Sequence, residues 1–170
     1  MIYVHIPFCR SFCTYCDFYS EIASASCRGR ESLDRFARAL EKEVELRSGE
    51  IRNNLLDHKT ADTLYIGGGT PSVLPLSVLE SLLDALHKAG VGKSFKEFTV
   101  EVNPDDIVEK GHSYVEGLLK LGVNRISMGI QSFDDGILKW MNRRHDAATA
   151  VSAYRILEDA GVGNVSIDLI

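Results

Sequence analysis

The sequence predicts an α/β fold built on a parallel β-sheet. Short apolar segments typical of buried strands alternate with segments of helical periodicity along the chain. In addition, three of the predicted helices are followed by the same Gly-Val joint, at Gly90, Gly122 and Gly161. Glycine at this position ends a helix in a left-handed conformation, and repeated helix-to-strand units indicate parallel strands. The pattern leaves open whether the sheet forms a barrel or a doubly wound layer.

The first part of the chain predicts two strands and one helix. Residues 3–6 form an apolar strand that a proline ends, and apolar residues recur at helical spacing over residues 33–47 before a glycine stop. A second strand, residues 63–66, runs directly into three glycines. Polar residues dominate the stretches 20–32 and 50–60, which predicts loops there.

Two capping boxes predict where later helices start. Ser77 has Glu80 three residues on, and Ser113 has Glu116 at the same distance, so each pair can satisfy free amides at a helix start. The two helices that follow end at the first two glycine joints. The remaining predicted elements are strands over residues 98–102, 125–130 and 165–170, and helices over residues 134–141 and 146–159.

Length and composition indicate one globular domain, residues 1–170, with 45% hydrophobic and 25% charged residues. The net charge of −5, without a basic stripe, argues against nucleic acid as a partner. No apolar run approaches the ~18 residues of a membrane span, and no secretory leader is seen, so we expect a cytoplasmic protein. Because the chain stops within an apolar strand, we expect it to be part of a longer protein.

Three of the four cysteines lie close together, at positions 9, 13 and 16. In a reducing compartment, clustered thiols are more often metal ligands than disulfides. A 4Fe–4S cluster bound by three thiolates would leave one iron open for a further ligand. A structural zinc ion requires four ligands, and Cys27 or His5 could complete that set. Unliganded thiols are the third alternative, so spacing alone leaves the ligand undecided.

Polar residues follow or interrupt several predicted strands. The glycines at residues 67–69 let the backbone approach a ligand, and no Lys-Ser/Thr pair follows to indicate a phosphate loop. Glu101 requires a polar partner unless it is a solvated strand end, and Arg143 could pair with a carboxylate unless it is a solvated helix-end cation. Gln131 follows a strand, at the edge where parallel α/β sites collect. Asp168 interrupts the apolar last strand and implies a polar partner.

The motif CxxxCxxC, with Tyr15 before its last cysteine, resembles the signature of the radical S-adenosylmethionine (SAM) enzymes. Further blocks resemble, in order and over essentially the whole chain, the coproporphyrinogen-III-oxidase-like branch of that superfamily. These blocks read YVHIPFC, YCDFYS, YIGGGTPS, EVNP, NRISMGIQSFDD, RRH and SIDLI. The resemblance implies a partial (β/α)6 barrel, similar to a TIM barrel and truncated after about five βα units, with SAM at the carboxyl edge of its strands.

The resemblance also implies a cofactor site. Cys9, Cys13 and Cys16 are expected to bind a 4Fe–4S cluster whose fourth iron binds SAM, and no further catalytic residue is implied. His5 and His145 are expected to be structural, because buried imidazoles are usually hydrogen-bonded. The residues expected to bind SAM are Tyr3, Tyr15, Gly68, Gly69, Thr70, Glu101, Gln131, Arg143 and Asp168.

The branch contains an oxygen-independent coproporphyrinogen III dehydrogenase and a haem chaperone. The dehydrogenase typically has a longer N-terminal extension and a further cysteine two positions beyond the third, where this chain has Phe18. Both differences favour a haem chaperone, which in full-length form would bind haem and deliver it to a respiratory protein, with flavodoxin or ferredoxin as reductant. The alternatives are the dehydrogenase, which converts two propionates of a porphyrinogen to vinyl groups, and a zinc-stabilised binding module.

Overall fold

The structure, a computed structural model, describes residues 1–23, 27–58 and 62–170. Within these ranges, no helix combines the length and the apolarity needed to cross a membrane. In chain order the elements are β1 (Ile2–Ile6), β2 (Phe8–Cys9), β3 (Glu21–Ile22), α1 (Cys27–Leu46), α2 (Ser48–His58), β4 (Thr63–Gly68), a 3₁₀ turn (Pro71–Val73), α3 (Leu76–Lys88), β5 (Glu97–Val102), α4 (Pro104–Lys120), β6 (Arg125–Gln131), α5 (Asp135–Trp140), α6 (Ala147–Asp159) and β7 (Val165–Leu169).

Five of these strands form one parallel sheet in the order β1-β4-β5-β6-β7. The spatial order follows the chain order, and crossovers between parallel strands are right-handed, so the connecting helices lie on one face. A doubly wound sheet would instead reverse its strand order at one point and carry helices on both faces. The sheet is therefore the wall of a partial barrel, which confirms the expected fold. The short strands β2 and β3 pair separately.

The two faces of the sheet differ in polarity, because successive side chains of a strand point to opposite sides and register partners share a side. The face covered by helices carries a row of buried apolar residues, namely Val4, Ile66, Val100 and Ile126. The open face carries the neighbouring row of Tyr3, Tyr65, Thr99 and Arg125. The core thus lies between sheet and helices, and the open face is the side of the barrel lumen.

The polar stretches at residues 20–32 and 50–60 are not simply loops, because α1 begins in the first and α2 ends in the second. Helix α2 presents Ile51 and Leu55, spaced four residues apart, to the core. Because the residues around this pair are mostly polar, the sequence analysis predicted a loop there. Parts of both stretches, residues 24–26 and 59–60, lie outside the described residues.

Helices α3 and α4 both begin before the predicted capping boxes. Helix α3 begins one residue before Ser77, after Pro75, and has no side-chain cap. Helix α4 begins at Pro104, well before Ser113, because proline fits the first helical position, where an amide donor is not needed. The backbone of Gly111, with φ 66° and ψ −167°, divides α4 into two helical segments, and the second begins close to Ser113 as expected. Ser113 Oγ donates to the carbonyl of Lys110 over 3.5 Å.

The three glycine joints are confirmed. Gly90, Gly122 and Gly161 have φ values of 102°, 94° and 85°, all in the left-handed region. After the first joint, the amide of Val91 donates to the carbonyl of Leu86 over 3.0 Å, and the equivalent bond forms at the other two. This bond satisfies a carbonyl at the helix end and turns the chain toward the next strand.

Leu157→Ala is expected to lower the free energy of unfolding by about 2–5 kcal/mol, because Leu157 of α6 is fully buried in the core and the substitution leaves a cavity. Val151→Ala on the same helix is the matched control, since Val151 is 42% exposed and its loss should stay within about 0.5 kcal/mol. Chemical denaturation of the full-length variants measures both values. Equal losses would contradict the packing of α6 into the core.

Candidate functional site

The carboxyl ends of the sheet strands and the cysteine loop, residues 9–20, line a pocket of about 390 Å³. The pocket brings together all three clustered cysteines and eight of the nine residues expected to bind SAM. Tyr3 is the exception. Besides the cysteines, the predicted residues at the pocket are Tyr15, Gly68, Gly69, Thr70, Glu101, Gln131, Arg143 and Asp168.

Contacts from the neighbouring strand β3 and from a distant part of the chain hold the cysteine loop at the barrel edge. Cys9 belongs to β2 and is fixed by pairing with β3. Further along the loop, the amide of Thr14 donates to the carbonyl of Met141 over 3.2 Å. Asn142 Nδ2 donates to the carbonyl of Phe12 over 2.6 Å. The position of the loop therefore depends on the segment that follows α5.

The three thiols of the cysteine loop differ in exposure. Cys9 and Cys13 are partly buried and Cys16 is exposed. Across the described ranges, no three His, Cys, Asp or Glu side chains are arranged to hold one metal ion. A 4Fe–4S cluster does not need that arrangement, because each thiolate binds a different iron atom.

The zinc alternative needs a fourth ligand, and His5 is already hydrogen-bonded elsewhere. Its Nδ1 lies 3.1 Å from the hydroxyl of Tyr3, and its Nε2 lies 3.2 Å from the carbonyl oxygen of Tyr19. The side chain of Cys27, the other candidate, lies outside the described residues. The structure thus supports the structural role expected for His5.

The glycine turn after β4 brings backbone close to Cys9. A Cβ atom on Gly69 would lie 2.7 Å from the carbonyl oxygen of Phe8 and 3.0 Å from Cys9 Sγ. A Cβ atom on Gly68, whose φ is 114°, would lie 2.6 Å from the ring of His5. Only glycine allows this approach, so the turn forms a cradle of backbone directly beside the thiol of Cys9.

Glu101 lies on the open face of β5 with its carboxylate fixed by two donors. The hydroxyl of Tyr65 donates to Oε1 over 2.7 Å, and the amide of Gly68 donates to Oε2 over 3.1 Å. Burial and then the hydrogen bond to Glu101 raise the pKa of Tyr65 above its ordinary value, so the phenol stays a donor. These bonds satisfy the requirement for a polar partner and leave further acceptor capacity at the pocket.

Arg143 is the most connected cation at the pocket. Its Nη2 donates to Asn103 Oδ1 over 2.8 Å, and its Nη1 lies 3.4 Å from both Cys13 Sγ and the Tyr15 hydroxyl. Its Nε is buried and has no hydrogen-bond partner. A buried donor without an acceptor is costly, and the carboxylate of a ligand would satisfy it. Burial raises the pKa of Tyr15 to about 12, although the charge of Arg143 acts in the opposite direction.

Gln131 and Asp168 lie at the ends of the last two strands. Gln131 has φ 73°, a conformation that is rare outside glycine, at the point where the β6–β7 register shifts. A Cβ atom on Gly129 would lie 2.9 Å from Gln131 Nε2, so the side-chain amide packs closely over Gly129. Asp168 accepts a hydrogen bond from Ser127 Oγ over 3.1 Å, which supplies its expected polar partner.

Tyr3 is not at the pocket. It lies on the same open face of the sheet, half exposed, with its ring centroid 6.0 Å from that of Tyr65. Its role in SAM binding stays a prediction.

A buried carboxylate beside the cysteine loop is a feature that the sequence analysis missed. Asp105 and Asp106 lie in the first turn of α4, but Asp106 is only 1% exposed. It accepts a hydrogen bond from Ser72 Oγ over 2.6 Å and lies 3.3 Å from Arg10 Nε. Burial raises the pKa of Asp106, while Ser72 and Arg10 act to lower it. The ion pair ties the cysteine loop to α4.

Asn103 also lines the pocket and was not among the predicted residues. It lies between the end of β5 and Pro104, at the carboxyl edge of the sheet. Its position directly after the strand that carries Glu101, within the EVNP block, is the signal that could have found it.

His145 is buried, with its Nε2 3.0 Å from the carbonyl oxygen of Ile130. Burial, reinforced by the charge of Arg143, lowers the pKa of His145. The ring therefore joins the loop after α5 to the end of β6, which supports the structural role expected for it.

Comparison with known proteins gives a family match over nearly the whole chain. The family model described as the radical SAM superfamily matches residues 3–170. The chain is 37% identical over 168 residues to the haem chaperone HemW of Lactococcus lactis, and 34% identical over 171 residues to that of Bacillus subtilis. These matches cover 99% and 98% of the chain but 40% and 41% of the relatives. The chain thus spans about two fifths of the length of these curated relatives.

A solved structure supports the same relationship. Coproporphyrinogen III oxidase (HemN) from Escherichia coli, described as a radical SAM enzyme, superposes with a TM-score of 0.81 at 28% sequence identity. The match covers 98% of this chain and 36% of that chain.

Gly69→Ala is expected to reduce the iron and sulfide bound per chain after anaerobic reconstitution, because the added Cβ must displace Phe8 or the thiol of Cys9. Gly163→Ala is the matched control, since nothing lies within 4 Å of a Cβ there and its φ is not positive. Iron and sulfide assays on both variants check the expectation. Full loading of the Gly69 variant would show that the cradle tolerates a side chain.

Acid is expected to destabilise the protein through His145. The folded-state pKa lies below the ordinary 6.5, so below that pH the unfolded chain binds more protons, and the free energy of unfolding falls as pH decreases. His145→Gln should show a weaker fall, because glutamine can donate to the same carbonyl without titrating. Denaturation at pH values on both sides of 6.5 measures this, with His112→Gln, at an exposed histidine, as control. Parallel profiles for wild type and His145→Gln would contradict the expectation.

Proposed function

The chain belongs to the radical SAM superfamily, and from that premise we propose that residues 1–170 form the N-terminal part of the radical SAM domain of a haem chaperone. The family implies a 4Fe–4S cluster and SAM. The observation that carries the proposal is the pocket, where three thiols, an arginine with an unpaired buried donor and the glycine cradle meet. The single-ion alternative lacks such support, because no suitable set of ligands converges in the described ranges.

In this proposal Cys9, Cys13 and Cys16 hold the cluster as thiolates. Arg143 Nε is free to bind the carboxylate of SAM, since the other guanidinium nitrogens already have partners. Glu101 offers its remaining acceptor capacity to hydroxyl or amino groups of SAM. When bound and reduced, the cluster supplies one electron for the cleavage of SAM.

Phe18 and the similarity to HemW favour the haem chaperone. Phe18 is 71% exposed beside the cysteines, at the position where the dehydrogenase typically has a further cysteine. The two curated relatives carrying the name haem chaperone are 37% and 34% identical to the chain. Haem binding by the full-length protein is the central claim of the proposal. A respiratory haem acceptor, flavodoxin or ferredoxin as reductant, and a cytoplasmic location remain predictions.

The second candidate function is that of an oxygen-independent coproporphyrinogen III dehydrogenase. The close superposition on coproporphyrinogen III oxidase from Escherichia coli favours it, because the match covers 98% of this chain with a TM-score of 0.81. In this alternative, the same pocket would serve the decarboxylation of two propionates of a porphyrinogen.

The full-length protein, reconstituted with iron and sulfide under anaerobic conditions, separates the two functions. We expect no protoporphyrinogen by chromatography after incubation with SAM, a reductant and coproporphyrinogen III. We also expect haem to bind and give a Soret band. Cys16→Ala is the control for dependence on the cluster. Product formed by the wild type but not by this variant would replace the chaperone with the dehydrogenase, and absence of both product and haem binding would reject both functions.

A further inference from the structure

Asn103 departs from the usual behaviour of its position. It is the N-cap residue of α4, where an asparagine side chain normally accepts a hydrogen bond from a free amide of the first turn. Here the side chain makes no such bond. It contacts two residues on other elements, Thr70 after β4 and Arg143 after α5. Because the Asn103 side chain lies at the edge of the pocket and does not cap its helix, we expect it to have another role.

The hydrogen-bond direction through Asn103 is fixed by its neighbours. A guanidinium can only donate, so Arg143 Nη2 must face the amide oxygen, at 2.8 Å. The amide nitrogen then donates to Thr70 Oγ1 over 3.2 Å. Because Thr70 Oγ1 accepts that bond, its own proton is free to point to Cys9 Sγ, 3.4 Å away. The chain of bonds thus runs from a cation to a cysteine sulfur.

Arg143 also reaches a second cysteine directly, since its Nη1 lies 3.4 Å from Cys13 Sγ. Asn103 therefore hydrogen-bonds to two donors, Thr70 and Arg143, and each of these donors faces a different cysteine sulfur. Thr70 is buried and Arg143 and Asn103 are partly buried, so water competes little for these bonds. Hydrogen bonds to the sulfurs of an iron–sulfur cluster favour its more negative, reduced form and so raise its reduction potential.

We propose that Asn103 is a positioning residue that holds Thr70 and Arg143 as hydrogen-bond donors to the sulfurs of Cys9 and Cys13, and thereby sets the reduction potential of the bound cluster. This inference rests on the proposed cluster site and is independent of haem transfer. It assigns a role to a residue that contacts neither sulfur itself.

Four substitutions separate the steps of this arrangement. Asn103→Ala removes both bonds of the amide. Asn103→Asp keeps an acceptor for Arg143 but cannot donate to Thr70, so the threonine proton turns from Cys9 to the new carboxylate. Thr70→Val removes the last donor with little change in shape, and Thr70→Ser restores it. Asn164→Ala, at an exposed asparagine before β7, is the matched control.

The experiment is a redox titration of the reconstituted full-length protein without SAM, followed by the electron paramagnetic resonance signal of the reduced cluster. Iron and sulfide per chain are measured on every sample. We expect Asn103→Ala, Asn103→Asp and Thr70→Val to titrate at lower potential than the wild type. Thr70→Ser should return toward the wild-type value and Asn164→Ala should equal it. A merely structural role would reduce the iron content and leave the potential of the remaining clusters unchanged.

Wild-type potentials in cluster-loaded Asn103 variants would overturn the inference. If the Asn103 variants do not load, Thr70→Val decides, and a wild-type potential in that variant would overturn it equally. If the wild type itself takes up no cluster, the proposed function fails first and this inference fails with it. The loading of the wild type thus distinguishes the two failures.

Discussion

Parallel pairing of consecutive strands is the constraint on which the rest of the structure depends. Because β1, β4, β5, β6 and β7 all run in one direction, their carboxyl ends meet at one edge of the sheet. The residues that follow the strands are therefore brought together, although they are far apart in the chain: the glycine turn after β4, Asn103 after β5 and Gln131 at the end of β6. The same alternation that buries Val100 in the core places Glu101 on the lumen face. The parallel strands thus determine both the packing of the core and the geometry of the site.

The cysteine loop depends on interactions of another kind. It contributes no strand to the main sheet. Its position is fixed by Met141 and Asn142 after α5 and by the ion pair between Arg10 and the buried Asp106. A carboxylate that is 1% exposed is stable only when it is paired and hydrogen-bonded, which makes this contact sensitive to the loss of either partner. The loop is accordingly supported by elements separated from it by about a hundred residues of sequence.

The sequence predicted those features that depend on local pattern. All five main strands follow from short apolar segments, and the three glycine joints follow from the left-handed conformation that glycine allows. The helix starts were less predictable, because a proline at the first helical position of α4 acts as a start signal without a capping side chain. Helix α2 was missed because only Ile51 and Leu55 carry its apolar face. The site residues were predicted from motifs, but their contacts were not, because Asn103 and Asp106 acquire their partners only when four separate segments meet.

Three residues at the pocket depart from local rules. Asn103 does not cap its helix, Gln131 has a positive φ, and Arg143 has a buried donor without an acceptor. Each of these costs stability in the chain by itself. A ligand that pairs with Arg143 Nε and joins the three thiols would remove part of that cost only in the folded state. Binding and folding are then linked, because a ligand specific for the folded chain stabilises it by mass action. The pocket is therefore best understood as a site whose polar groups are completed by what it binds.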